Sequence, residues 1–193
     1  MIIDISQELL GCKVWPGDPE PRAEKLYQMK NGDIINLTAL SMCAHNGTHV
    51  DAPLHFIADG KSIDQLPLEP FVGDCYVVRH EGDVTGEDAE SILHKAEEAG
   101  AAERILIAGK ATVTAEAAQI FADAHIRLIG NESQTVGPEN APMQVHLILL
   151  GAGIVLLEGV VLSNVEEGRY FLSAAPINVA GCEGSPCRAY LIK

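Results

Sequence analysis

The apolar residues of the chain fall into short runs, and the residues around each run indicate whether it becomes a strand or a helix. Runs rich in β-branched and aliphatic residues, bounded by glycine or polar residues, predict strands. The predicted strands cover residues 34–42, 76–79, 104–108, 125–130, 154–157, 170–174 and 188–192.

Three segments between these runs carry helix signals. The segment 85–100 begins with Thr85 and a group of acidic residues, shows one apolar stripe and ends in a glycine, as a capped amphipathic helix does. The segment 114–125 has Thr114 in the N-cap position ahead of a second apolar stripe. A third helix is predicted over 140–151, because a proline stands in its expected first turn.

The order of these elements predicts the fold class. Strands and helices alternate from residue 76 to residue 157, which is typical of an α/β domain. The first third of the chain has few helix signals and suggests an additional sheet. No repeat, low-complexity tract or long linker divides the sequence, so we expect residues 1–193 to form a single domain.

Composition and charge exclude several classes of protein. Of the 193 residues, 47% are hydrophobic and 21% are charged, which is ordinary for a globular protein and unlike a disordered, collagen-like or coiled-coil chain. Lys and Arg number 13 against 27 Asp and Glu, a formal net charge of −14. Such a charge repels phosphate backbones and anionic lipid, so we expect neither nucleic acid nor a membrane surface as a partner.

The sequence suggests a cytoplasmic location. Its first residues lack the basic region of a signal peptide, and glycines and polar residues interrupt the longest uncharged apolar run, 141–157, so that it falls short of a membrane-spanning helix. The five cysteines form no CxxC pair, which is typical of free thiols in a reducing compartment.

One segment concentrates residues that bind metals. Residues 45–55 read HNGTHVDAPLH and contain three of the seven histidines, and imidazole with carboxylate is a ligand set for zinc, manganese or iron. A straight strand would separate the α-carbons of His45 and His49 by about 13 Å, so the chain must bend here, as Gly47 and Pro53 allow. The alternative is that these histidines only make hydrogen bonds around a turn.

Two further residues are candidates for the rest of such a site. His146 lies in an otherwise apolar helical segment, where an unpaired imidazole costs free energy. Glu158 ends the apolar run 153–157 and is equally unexpected there. The alternative for each is a polar residue that reaches solvent at the end of its element.

These residues carry a family resemblance. The pattern H-x-G-T-H-x-D-x-P-x-H at 45–55 resembles the signature of the metal-dependent cyclase and kynurenine formamidase family. The segments 14–18 (VWPGD), 157–162 (LEGVVL) and 184–189 (GSPCRA) are similar to other stretches of that family. The resemblance implies a swivelling β/β/α-type domain with a mixed sheet and flanking helices, in dimers or tetramers, that hydrolyses amide-type C–N bonds of small molecules.

The resemblance also implies roles for individual residues. His55 matches the catalytic histidine, and Trp15 matches an aromatic residue that holds the substrate, although Trp15 alone could equally be a packing residue. Asp51 would bridge two divalent ions, zinc or manganese, and a bound ion lowers the pKa of water enough to supply hydroxide near neutral pH. The implied ligands of one or two ions are His45, His49, Asp51, His146 and Glu158.

Two departures from the family pattern bear on the substrate. The turn at 130–135 reads GNESQT where relatives commonly have G-x-D-S/T-P-S, and an aromatic-rich insertion after the strand at 104–108 is absent. We therefore expect amide hydrolysis on a linear formamide or a cyclic amide or imide. The alternatives are an arylformamidase acting on N-formylkynurenine, a catalytically silent family member that binds metal and ligand, or a purely structural role for the histidines.

Overall fold

A mixed β-sheet of nine strands forms the framework of the computed structural model, which describes all residues, Met1–Lys193. Three helices accompany it: α1 (Gly86–Glu98), α2 (Ala115–Asp123) and α3 (Met143–Gly151). The strands are β1 (Ile2–Asp4), β2 (Arg22–Tyr27), β3 (Leu37–Ser41), β4 (His49–Asp51), β5 (Val72–Arg79), β6 (Gly82–Val84), β7 (Arg104–Ala108), β8 (Ala111–Val113), β9 (Leu128–Asn131), β10 (Val155–Glu158), β11 (Gly168–Ser173), β12 (Gly184–Pro186) and β13 (Tyr190–Ile192).

Four parallel strands occupy the centre of this sheet in the order β5, β7, β9, β10, and a helix follows each of the first three along the chain. The α/β prediction is therefore confirmed. Thr114 caps α2 as predicted, because its hydroxyl accepts the backbone N–H of Ala117. Thr85 caps α1 in the same way and accepts the N–H of Asp88. The helices cover one face of the strands with an apolar layer that includes Ile107, Phe121 and Leu149.

Antiparallel strands extend the sheet on both sides. The full order is β1-β13-β11-β5-β7-β9-β10-β4-β12, so β4 lies between β10 and β12. Val50 of β4, Leu172 of β11 and Leu191 of β13 belong to one buried cluster on the face away from the helices. Because these strands come from opposite ends of the sheet, the sheet curls around that cluster. None of the three helices is long and apolar enough to cross a membrane.

The additional sheet predicted for the first third of the chain is an antiparallel hairpin of β2 and β3, which is separate from the main sheet. We call residues 22–41 the arm. The predicted strand 34–42 is too long, because Ile34 and Ile35 precede β3 and lie exposed in the connection. The large apolar side chains that the arm leaves exposed are Leu26, Tyr27, Met29, Ile34, Ile35, Leu37 and Leu40.

Other differences concern short elements and element ends. The predicted strand 125–130 starts late, at Leu128, because His125 has φ of +53° and belongs to the turn that ends α2. Strand β2 and the three-residue strands β1, β4, β6, β8 and β12 were not predicted. Three residues are too few to show an alternating pattern, so neighbouring strands rather than local sequence define the three-residue elements.

Candidate metal centre

The segment that begins the site bends where the sequence requires it. A turn at Ala44 and His45 precedes β4. Gly47, which lies between this turn and the strand, adopts φ of +68°, a left-handed conformation that favours glycine. Within β4 the side chains alternate: Val50 enters the apolar cluster inside the curled sheet, so His49 and Asp51 point to the opposite face.

The second half of the site comes from β10 and α3. In the antiparallel pairing of β4 with β10, Glu158 lies directly opposite His49, and directly opposed residues project from the same face of a sheet. The helix α3 packs against β10 and brings His146 to that face. Strand pairing thus joins residues that are more than 100 positions apart in sequence.

All five predicted ligands meet in two overlapping groups. Within each group the candidate ligand atoms lie no more than 4.8 Å from one another. Asp51 is common to both groups, as a bridging carboxylate must be. The first group is His45, His49 and Asp51, and the second is Asp51, His146 and Glu158.

Imidazole nitrogens and carboxylate oxygens lie close together in the cluster. His49 Nε2 lies 3.5 Å from Asp51 Oδ1 and 3.5 Å from Glu158 Oε2. His146 Nε2 lies 3.3 Å from Glu158 Oε1 and 3.7 Å from Asp51 Oδ2. His45 Nδ1 approaches Asp51 Oδ1 to 2.9 Å. Each imidazole therefore turns one nitrogen toward the carboxylates.

Two of the histidines are held from behind by backbone carbonyls. His49 Nδ1 donates to the carbonyl of Gly47 at 3.0 Å, and His146 Nδ1 donates to that of Pro142 at 2.9 Å. Since a carbonyl only accepts hydrogen bonds, both rings carry their proton on Nδ1 and direct Nε2 into the cluster. This fixed orientation is typical of histidines that bind metals.

The burial of the cluster fits a cation. Asp51 is 0% exposed and Glu158 is 2% exposed, and two buried carboxylates side by side require positive charge nearby. Asp51 Oδ2 is buried and has no hydrogen-bond partner, which marks it as an atom available to a ligand. Buried imidazole and carboxylate donors of this number suit divalent zinc or manganese.

Electrostatics within the cluster point the same way. Burial would lower the pKa of His45, but the hydrogen bond and charge of Asp51 outweigh it and raise that pKa to about 9. Burial would raise the pKa of Asp51, but the hydrogen bond from His45 and the charge of His49 hold it below its usual value. The buried carboxylates and imidazoles thus favour one another's charged forms.

His55 and Trp15 line the cavity in front of the cluster, as their predicted roles require, and His55 belongs to neither ligand group. The His55 ring stacks on His45 with centroids 4.1 Å apart and meets Phe56 edge-on at 4.6 Å. Burial lowers the pKa of His55. The cavity measures about 420 Å³, and its lining also includes Asp18, Cys43, Gln134, Thr135, Pro142 and Glu183.

The unusual turn at 130–135 proves to be a support for the site. Asn131 Nδ2 donates to the carbonyls of Ala111 and Thr135, each at 3.1 Å. The turn that follows directs the N–H of Val136 to Glu158 Oε1 at 2.9 Å. Sequence reasoning missed this contact and also the place of Glu183 in the cavity, because a single polar residue in a loop gives no signal of its own.

Comparison with known proteins places this arrangement among hydrolases. The family model described as "Putative cyclase" matches residues 3–138. Kynurenine formamidases of Salinibacter ruber and Erythrobacter litoralis are each 35% identical to this chain over 98% of its length, covering 96% and 93% of their own.

Solved structures share the fold over nearly the whole chain. A "potential metal-dependent hydrolase with cyclase activity" superimposes with a TM-score of 0.82 at 25% identity, over 99% of this chain and 96% of that one. Isatin hydrolase A of Labrenzia aggregata gives a TM-score of 0.84 at 24% identity, over 99% of this chain and 93% of its own. At that identity the second likeness establishes the fold alone.

Proposed function

The chain belongs to the cyclase family and is a metal-dependent hydrolase, and on that premise we propose that it cleaves the amide bond of a small N-formyl arylamine. The observation that carries the proposal is the sharing of Asp51 by two buried ligand groups at the base of a cavity that His55 also lines. The relatives at 35% identity, named kynurenine formamidases, favour a linear formamide as the substrate class.

We propose two divalent ions, zinc or manganese, held by the two groups that Asp51 joins. Bound there, the ions would supply Lewis acidity toward a carbonyl oxygen and would lower the pKa of water. The protein's contribution is to present preoriented nitrogens, since His49 and His146 are fixed by carbonyls behind them.

His55 is the residue we propose for proton transfer. Its lowered pKa keeps the ring neutral near pH 7, so one nitrogen can accept a proton from water and the ring can pass it to the departing nitrogen. Stacking on His45 holds the ring at the edge of the cluster. An amine leaves an amide only after it gains a proton, so His55 has a place in the step that releases the amine.

The cavity suits a small planar substrate. Trp15, Phe56 and Pro142 supply its apolar surface, on which an aromatic ring can pack. Neither lysine nor arginine lines it, so an anionic group gains no ion pair there. We therefore propose that Trp15 holds the ring of the arylamine while the formyl group faces the cluster.

We also propose that two copies of the chain associate through their arms. The arm exposes seven large apolar side chains, and an isolated two-stranded hairpin is at best marginally stable in water. The arm has a net charge of +1, whereas the whole chain carries −14. Its basic residues are Arg22, Lys25 and Lys30, and its acidic residues are Glu24 and Asp33. The arm is therefore a segment where two acidic copies can meet with little repulsion.

The five cysteines support a reducing compartment, and we propose the cytoplasm. All five are free thiols, which is the usual state of cysteine in that compartment. Burial raises the pKa of Cys187 to about 12, so this thiol is unreactive at neutral pH.

Metal analysis and turnover together test the proposed function. We expect about two ions per chain by elemental mass spectrometry, and hydrolysis of N-formylaniline that a chelator removes and added metal restores. His55→Ala should keep its metal and lose about 10²- to 10⁴-fold in kcat, the usual contribution of a general acid–base. Metal without turnover of any N-formyl arylamine would contradict the proposed substrate class, and chelator-resistant turnover would contradict the metal centre.

A further inference from the structure

The three histidines of the cluster differ in what stands behind each ring. His49 and His146 donate their outer N–H groups to backbone carbonyls, which no side-chain substitution removes. His45 presents Nδ1 to Asp51 at 2.9 Å, and its outer nitrogen is Nε2. The group behind His45 is a side chain, the carboxylate of Glu183.

Glu183 is the charged group nearest to this nitrogen. Glu183 Oε1 lies 3.4 Å from His45 Nε2, about 0.5 Å beyond a typical hydrogen bond. His45 Nε2 is itself buried and has no hydrogen-bond partner. A buried imidazole nitrogen without a partner costs free energy, and a small movement of the Glu183 side chain, which is 40% exposed, would remove that cost.

The backbone fixes Glu183 at this place. Its carbonyl accepts the N–H of Ala52 at 2.9 Å, and β12, which follows it, pairs with β4 so that Gly184 lies opposite Asp51. A Cβ at Gly184 would stand 2.7 Å from His45 Cε1. Only a glycine here lets β12 approach the imidazole closely enough for its neighbour to reach Nε2.

We propose that Glu183 is a positioning residue that accepts the Nε2 proton of His45 and thereby directs Nδ1 toward the ion that Asp51 shares. The proposal rests on the proposed metal centre. A carboxylate behind a ligating histidine fixes the tautomer and ring orientation and makes the ligand more basic, and loss of such a partner typically costs about 10- to 100-fold in metal affinity.

The first test measures metal affinity by competition with a chromogenic chelator, using zinc alone as the probe. We expect Glu183→Gln to bind zinc about 10-fold less tightly and Glu183→Ala up to about 100-fold less tightly, because glutamine keeps an acceptor but loses the charge. Glu167→Gln is the matched control: its carboxylate is 33% exposed and pairs with Lys95, away from the cavity. It should bind zinc as the unmodified protein does.

The outcomes separate this inference from the proposed function. Equal zinc affinity in Glu183→Gln, Glu183→Ala and the control would overturn the positioning role while leaving the metal centre intact. Complete loss of one ion in Glu183→Ala would make Glu183 a ligand and would also overturn it. No zinc binding by the unmodified protein would overturn both proposals.

A second measurement does not depend on how the variants fold. Nitrogen-15 NMR of the imidazoles in the zinc-loaded, unmodified protein reports which ring nitrogen carries hydrogen. We expect His45 to carry it on Nε2, and His49 and His146 to carry it on Nδ1. A His45 ring protonated on Nδ1 would overturn the proposal, because Nδ1 would then be unavailable to the ion.

Discussion

The arm and the part of the sheet that carries the site are both built from β-strands with many apolar residues, but those residues are exposed in the arm and buried in the sheet. In the arm, Ile34 is 92% exposed and Leu40 is 62% exposed. In the central sheet, Leu106 and Leu156 are completely buried, Leu156 in the apolar cluster under the helices and Leu106 in the cluster on the opposite face. The apolar pattern of a strand thus does not reveal whether the same chain supplies the partner that covers it.

The difference has a physical consequence for where chemistry can be placed. Ligands must be held within fractions of an ångström, so they need elements that are packed on both sides. β4 meets this condition because it lies between β10 and β12, whereas the arm contacts the remaining elements only weakly. We therefore expect substitutions around β4 to affect catalysis and stability, and substitutions in the arm to affect association.

The largest effect should come from Asp51, the carboxylate common to both ligand groups. Asp51→Asn preserves the shape of the side chain but removes the charge that the two proposed ions need. We expect both ions to be lost and kcat/KM to fall at least about 10³-fold, since ions contribute several kcal/mol to a hydrolytic transition state. Metal analysis and turnover measure this. The exposed Asp123→Asn serves as control, and an Asp51→Asn protein that retains two ions would contradict the bridging role.

The same substitution in the two regions measures the contrast in packing. Leu106→Ala should lower the free energy of unfolding by about 2–5 kcal/mol, because it leaves a cavity in the apolar cluster on the face of the sheet away from the helices. Leu40→Ala in the arm should change it by no more than about 0.5 kcal/mol in dilute protein. Urea unfolding followed by circular dichroism gives both values. A cost of several kcal/mol at Leu40 would mean that the arm is covered within its own copy.

The parts of the fold that local sequence determines were predicted, and the parts that depend on distant pairing were not. The apolar stripes of α1 and α2 and the capping Thr114 of α2 depend on residues close together in sequence, so their positions could be inferred. Strand β12 has three residues, and only its pairing with β4 makes it a strand. Its place beside His45 therefore could not be inferred from the sequence.

The site divides in the same way. His45, His49 and Asp51 lie within seven residues, so their spacing alone indicated a metal. Glu158 faces His49 only because β10 pairs with β4 in one register. Its place at the end of an apolar run made it a candidate, and the family resemblance implied its role as a ligand. Glu132 lies in the turn that departs from the family pattern, and its carboxylate accepts two backbone N–H groups, from Gly109 and Leu162. These long-range contacts could not be inferred from the sequence of the turn.

The smallest effect on catalysis should come from charges placed on the arm. Ile34→Lys combined with Leu40→Lys removes two exposed apolar side chains and raises the arm's net charge from +1 to +3, so that two arms repel each other at the proposed contact. We expect light scattering to show the mass of one chain instead of two, with the melting temperature of the sheet and the metal content nearly unchanged.

The exposed Glu116→Lys, on α2 outside the arm, is a control for added charge. An unchanged mass in the doubly substituted protein would place the contact between copies elsewhere, and loss of metal would show that the arm supports the site. Retained metal with a halved mass would show that the packed sheet holds the metal centre without help from the arm.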